Sequence, residues 1–429
     1  MANLINIIKA DGKLEYDFID KTKDRSSAVE DKVIKAVTDI IDNVRKNGDK
    51  AIREYTEKFD NVKLESFEVS AKDIEESYKD CNITASLELA SKNIYEYHKK
   101  QKQNGYTVFR DGVCIGQRVR GLNTVGIYVP GGTAAYPSSV LMNAIPAKVA
   151  GVKNIIMVTP PSKDGNVDKN ILAAAYIAGV DKVYSIGGAQ AVAGICLGTE
   201  TLPKVDKIVG PGNIYVATAK RLLYGTVDID MIAGPSEILI IADESARVDY
   251  LAADMLSQAE HDKLASSILL CKTEEMAYAV EKELELQLDK LSRKEMAMEA
   301  LANSSAIIVC PEKEKALELA NLLAPEHLEL MVEEPFEYLD YIDNAGSVFL
   351  GENSPEPLGD YVAGPNHVLP TSGTARFFSP LSVDSFIKKS SYIYYSYSAL
   401  EKVKDDIINI AEQEGLDAHA AAIKVRFND

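Results

Sequence analysis

Histidine is scarce in this chain. There are five in 429 residues: His98, His261, His327, His367 and His419. Cysteine is as sparse. Cys81, Cys114, Cys196, Cys271 and Cys310 are odd in number, far apart and form no C-x-x-C pair, which argues against a disulfide framework and against a cysteine zinc knuckle. Most are expected to be small buried hydrophobes. Basic residues are outnumbered, 47 Lys and Arg against 65 Asp and Glu, for a formal charge of −18. An acidic chain repels phosphate backbones and anionic lipid, so no nucleic-acid or membrane partner is expected. No uninterrupted apolar run approaches the ~20 residues that span a bilayer. The first residues, Met1 to Lys9, lack a basic region followed by a long apolar one, so no signal peptide is read there. A reducing cytoplasm is the consistent compartment.

With 46% hydrophobic and 26% charged residues the composition is that of a soluble globular protein. Its length calls for two to four domains. Residues 1–24 are mixed and polar and read as an arm. From Ser27 to about Lys102 the pattern is helical: Val29, Val33, Ile34, Val37, Ile40, Ile41 and Val44 form one apolar stripe. The middle then alternates. Strands are expected at 125–129, 152–158, 180–186 and 205–209, each ending in Gly or Pro and leading into a helix. That is the signature of a parallel sheet with helices on its faces. A second series follows, with strands at 237–242, 267–270 and 306–309 and helices at 249–260, 274–291 and 313–323. The expected fold class is therefore α/β, with two Rossmann-like parallel-sheet domains, one inserted in the other. Residues 25–124 and 236–379 would form the first and residues 125–235 the second. Residues 380–429, with an aromatic strand-like stretch and amphipathic helices, are too few to hold a core alone. They need a surface to dock on, their own chain's or a partner's.

Four of the five histidines sit in or beside runs of Asp, Glu, Gln, Gly and Pro, and two such runs stand out. In Leu256-Ser-Gln-Ala-Glu-His-Asp262, Gln258 and His261 are three apart in an expected helix and share a face. An imidazole nitrogen and an amide oxygen can both reach a divalent cation, and imidazole favours zinc or another late transition metal. The plain alternative is a solvated helix end. Asp360 and His419 are candidates for further ligands, and His367 competes for either role; Asp360 reads equally as a turn aspartate. In Pro325-Glu-His327, a carboxylate and an imidazole after a proline can face one pocket and supply two bases. Alternatively, His327 only stabilises a helix C-terminus. Gly loops at Pro130-Gly-Gly132, Gly187-Gly188 and Gly210-Pro-Gly-Asn213 fall after strands and before helices, where anions such as a pyrophosphate bind. None is a strict G-x-G-x-x-G or P-loop, so tight turns of an α/β fold explain any one of them equally well.

Seven runs, in order, carry a resemblance over residues 27–427: Gly126-Ile-Tyr-Val-Pro-Gly-Gly132, Gly210-Pro-Gly-Asn213, Ala233-Gly-Pro-Ser-Glu237, Gln258-Ala-Glu-His-Asp262, Pro325-Glu-His-Leu328, Gly364-Pro-Asn-His367 and Glu414-Gly-Leu-Asp-Ala-His419. In these the chain resembles the histidinol dehydrogenases. The resemblance implies a zinc- and NAD-dependent enzyme of histidine biosynthesis that oxidises L-histidinol through the aldehyde to L-histidine. It implies one Zn2+ per subunit held by Gln258, His261, Asp360 and His419. Ser236, His327, His367 and Glu414 would contact substrate alongside the metal ligands, and Tyr128, Gln190 and Asn213 would contact NAD. His327 would be the general base and Glu326 would activate water. It also implies a homodimer with shared active sites, in which residues 380–429 cross to the neighbour. A zinc hydrolase on a related fold, with Glu326 activating water, is the alternative from the residues alone. A metal-stabilised binding protein without catalysis is a second rival.

Overall fold

The computed structural model describes residues 4–24, 31–131, 135–232 and 234–427. Ser27 and Val29 of the helical stripe, and Gly132 and Ala233 of the motif runs, lie outside these. Two parallel sheets organise the molecule. The first has five strands, in the spatial order Lys182–Ser185, Asn154–Thr159, Thr124–Tyr128, Lys207–Val209 and Asp228–Ile229. The second has six, in the order Asn6–Lys9, Ala306–Val309, Ser266–Cys271, Glu237–Ala242, His327–Met331 and Ser347–Leu350. Their central strands are apolar along their length, as in Ile238 to Ala242 and Ile155 to Val158, and are buried on both faces. Helix-covered parallel sheets require that pattern. Local signals set the helix ends. Asp168 accepts the N–H groups of Asn170 and Ile171, and Gly179 closes the same helix in the left-handed conformation, φ 69°.

One expectation is corrected. The helices of residues 31–99 do not complete the six-stranded sheet. Helix Asp31–Asp60 lays Val33, Val37, Ile40, Ile41 and Val44 on the core formed by Tyr128, Ile156, Ala191 and Val216. Helix Thr84–Lys99 packs on Pro137–Ala150, on the other face of the same five-stranded sheet. The six-stranded sheet is completed instead by the first residues of the chain. Asn6–Lys9 pairs with Ala306–Val309 as the edge strand, and Ile19 of helix Leu14–Asp24 enters its core. An apolar stripe says that a helix is buried; it does not say against which sheet.

A third sheet is antiparallel and joins Tyr106–Arg110, Val113–Gly121 and Ile387–Tyr395. The strand-like stretch after residue 380 thus docks on its own chain, in register from Ile387 opposite Gly121 to Tyr395 opposite Val113. The helices beyond it, Lys404–Gln413 and Asp417–Lys424, pack mainly on each other. Between them and the sheet runs an apolar groove, with Tyr106 and Ile393 exposed along it. Among the described residues no helix is long and apolar enough to cross a membrane.

Candidate active site

The two parallel sheets face a common cavity of about 330 Å3. The five-stranded sheet presents its carboxyl edge, where the loops after Tyr128 and Val209 emerge. The six-stranded sheet presents its amino edge, at the first residues of Glu237–Ala242 and His327–Met331. Ligand sites of open α/β sheets lie at the carboxyl edge, so the loop-bearing sheet follows that rule and the catalytic candidates come from the opposite end of its neighbour.

The Gly210-Pro-Gly-Asn213 loop is held from beneath by a buried ion pair. Lys220 Nζ lies 2.5 Å from Asp230 Oδ1 and donates to the Gly210 carbonyl at 2.9 Å, while Gly210 N–H donates to Asp230 Oδ2 at 2.7 Å. Gly210 has φ +109°, and a Cβ there would lie 2.1 Å from the Tyr128 carbonyl oxygen. Only glycine fits. Asn213 then caps helix Ile214–Leu223 through the N–H groups of Tyr215 and Val216 and lines the cavity. Tyr128 and Gln190 sit together at the same sheet edge. The Tyr128 hydroxyl accepts the Gly188 N–H at 3.0 Å, and buried Gln190 Oε1 has no donor. An orphan buried oxygen next to a helix N-terminus suits a polar dinucleotide.

On the other wall, His327 opens its strand. Its Nδ1 donates to the Glu237 carbonyl at 3.0 Å, which leaves a buried Nε2 without a donor. That tautomer presents a free lone pair. Burial lowers the imidazole pKa, so His327 is neutral at pH 7. The neighbouring Glu326 accepts the Glu237 N–H through Oε2 at 2.9 Å and lies 3.7 Å from His327 Nδ1. Burial pushes its carboxyl well above the usual range, and nearby Glu237, Asp360 and Glu356 push it further. His367 donates Nδ1 to the Asp360 carbonyl at 3.1 Å, and burial lowers its pKa also.

His261, Glu356 and Asp360 each place a ligand atom within 4.8 Å of the other two. Gln258 Oε1 is buried and lacks a donor. Zinc bonds to nitrogen and oxygen are about 2.0–2.2 Å, so the ligand atoms of His261, Glu356 and Asp360 can reach one ion; with Gln258 in the same cavity lining, the mixed imidazole and oxygen set suits zinc or another late transition metal. Glu356 was not among the expected residues. It lies four before Asp360 in helix Glu356–Tyr361, so the two carboxylates share a face. That spacing was the available signal. Burial first, and then Asp360, raises the Glu356 carboxyl to about 8.

The cavity thus gathers Ser236, Gln258, His261, Glu326, His327, Asp360, His367 and Asn213. Glu414 and His419 are not in its lining. Both are exposed, at the end of Lys404–Gln413 and within Asp417–Lys424.

The chain is 58% identical over 431 residues to histidinol dehydrogenase of Clostridium acetobutylicum, covering 100% of both. It is 53% identical to that of Bacillus cereus, covering 99% of this chain and 100% of the relative. A crystal structure of histidinol dehydrogenase from Elizabethkingia anophelis superposes with a TM-score of 0.93 at 39% identity, covering 99% of this chain and 98% of that one. The sequence model of one family, histidinol dehydrogenase, matches residues 23–427. Nearly every residue is accounted for by that match, and the chain belongs to the histidinol dehydrogenase family.

Proposed function

We propose that this protein is an L-histidinol dehydrogenase of the cytoplasm, which converts L-histidinol through L-histidinaldehyde to L-histidine with two NAD and one water. The observation that carries the reading is the pairing, in one cavity, of a buried His327 Nε2 that meets no hydrogen-bond donor with a cation-sized cluster at His261, Glu356 and Asp360, with Gln258 in the same lining. Zinc would hold the substrate's imidazole and amino nitrogens, and NAD would accept the hydride. The chain does the rest. Gln258, His261, Asp360 and His419 fix the carbinol carbon by fixing its chelator, with Ser236, His367 and Glu414 against the substrate. Tyr128, Gln190 and Asn213 orient the dinucleotide at the opposite sheet edge. In the alcohol step His327 Nε2 takes the hydroxyl proton as hydride leaves carbon. In the aldehyde step Glu326 takes a proton from water as its oxygen adds to the carbonyl carbon, and hydride leaves again. Glu326 serves as that base in its ionised form. A hydrolase would leave the dinucleotide wall without a role.

Purified protein given histidinol and NAD is expected to form NADH at twice the amount of histidinol consumed. No absorbance at the NADH band would overturn the reading. His261→Asn should lose zinc along with activity, measured by metal analysis, and full zinc occupancy in the variant would refute the ligand assignment.

Glu414 and His419 lie on the exposed tail and outside the cavity lining of their own chain, so the proposed site draws them from a neighbour. The groove beneath that tail is apolar, and Ile393, Ile410 and Val425 are 74%, 62% and 64% exposed. Apolar surface on that scale marks an interface. The proposed assembly is a homodimer in which each tail closes the neighbour's site.

A further inference from the structure

The chain changes sheets just after Asp360. Helix Glu356–Tyr361 carries Asp360. Val362 and Val368 then enter the apolar core on one face of the five-stranded sheet, with Ile94, Val140 and Ile145. His367 lies within this crossing and lines the cavity. What fastens the crossing is polar and buried. Helix Pro137–Ala150 has Pro146 in its interior, and a proline has no N–H to give the Met142 carbonyl four residues earlier. Asn366, 4% exposed, supplies the missing donor: its Nδ2 donates to that carbonyl at 2.7 Å. The same nitrogen lies 3.4 Å from Nε2 of His98, a buried ring that the chemistry above does not use; His98 Nδ1 donates to the Ile94 carbonyl at 2.8 Å, which leaves Nε2 to accept. Asn366 Oδ1 accepts the Val368 N–H at 2.9 Å and so closes a turn around His367. Nearby, Asn93 Nδ2 donates to the Val362 carbonyl at 2.8 Å.

These bonds bear on the site through His367. Its Nδ1 donates to the Asp360 carbonyl at 3.1 Å, and its Nε2 lies 3.4 Å from the hydroxyl of Ser139, which stands on the same helix as Met142. We propose that Asn366 is a positioning residue: the carbonyl that Pro146 leaves free on helix Pro137–Ala150 is its socket, and the bond between them sets where His367 and the Asp360 backbone stand against the wall that carries the dinucleotide loops. This rests on the reading of His367 as a substrate contact and Asp360 as a metal ligand. An amide fits the task because it donates to one backbone group and accepts from another at once. Without it the buried Met142 carbonyl would have neither a helical donor nor a side-chain one, a loss that folding does not repay.

The test is histidinol affinity, measured by calorimetry on the full-length, zinc-loaded protein, beside the melting temperature. Asn366→Ala is expected to weaken histidinol binding about 10- to 100-fold and to lower the melting temperature, because it orphans a buried carbonyl. Pro146→Ala separates the two effects. It returns an N–H to position 146, so the helix satisfies the Met142 carbonyl by itself. In the double variant Asn366→Ala with Pro146→Ala, the melting temperature is expected to recover and the histidinol affinity is not. Pro146→Ala alone should bind histidinol as wild type does, since a carbonyl oxygen has two lone pairs and can keep Asn366 as well. A folded Asn366→Ala protein with wild-type affinity would overturn the proposal. So would a double variant whose affinity recovers along with its melting temperature, or a loss in Pro146→Ala alone as large as in Asn366→Ala. If Asn366→Ala does not fold, the double variant decides: weakened binding is expected, and wild-type binding overturns the proposal. Failure of the histidinol reading is distinguishable, since the wild-type protein would then bind no histidinol, and the proposal would fall with it.

Discussion

His327→Asn is expected to lower the rate of histidinol oxidation by about 10^2- to 10^4-fold, the usual contribution of a positioned general base. The zinc content and melting temperature should stay near wild type, because the imidazole contributes one hydrogen bond, from Nδ1 to the Glu237 carbonyl, and asparagine can donate there. The pH profile gives the sharper measurement. His327 works only with Nε2 unprotonated, so kcat/KM rises with pH through its pKa and then levels. Burial lowers that pKa, which places the acid limb below the ordinary histidine value of about 6.5. The limb should vanish in His327→Asn. A variant that keeps the limb, or loses less than about tenfold in rate, would remove His327 from the role of base. Glu326→Gln is the complementary case. It should slow aldehyde oxidation more than alcohol oxidation, because only the second step adds water. Equal loss in the two half-reactions, followed separately with histidinol and histidinaldehyde, would contradict the assignment.

Mixing two inactive proteins should restore activity. On the proposed ligand set, Asp360→Ala would lack a ligand in the cavity wall and His419→Ala one on the tail. If the tail of one subunit serves the other's cavity, a mixed dimer holds one site with both ligands intact and one with neither. Random exchange of subunits then returns roughly a quarter of wild-type activity. The expectation follows from placement. His419 is exposed and absent from the cavity lining of its own chain, whereas Asp360 lies in that lining beside His261. No recovery, with exchange verified by a mass-tagged subunit, would mean that each site is built within a single chain.

Much of the fold was legible because parallel strands buried on both faces are continuous apolar runs. The strands Glu237–Ala242 and Ala306–Val309 lie where the apolar runs place them, and four of the five-stranded sheet lie within a few residues of their expected bounds; the short edge strand Asp228–Ile229 was not expected. Less regular elements were missed. The strand His327–Met331 was not expected, since His-Leu-Glu-Leu-Met carries a charge at a position that the structure buries. The hairpin Tyr106–Arg110 and Val113–Gly121 has little apolar alternation, and its exposed first strand gives no periodic signal. Edge strand Asn6–Lys9 pairs with residues some 300 positions away, and nothing local records such a partner.

The candidate site divides in the same way. Rare side chains in unusual settings, such as Gln258 and His261 three apart and Glu326 beside His327, were visible because their chemistry is carried by residue type and spacing. Glu356 was not, because a carboxylate in an acidic chain is unremarked until its burial is known.

By itself, the order of residues determined the α/β class, the alternation of strands and helices, and the identity of the side chains able to bind metal and move protons. All of these depend on spacing over one or two turns. Only the tertiary structure decided which sheet the early helices cover, which strand ends face the cavity, which carboxyls are buried, and that the tail stands away from the cavity of its own chain. Those are matters of distance and dielectric between segments remote in the chain, and they exist only once the chain has folded.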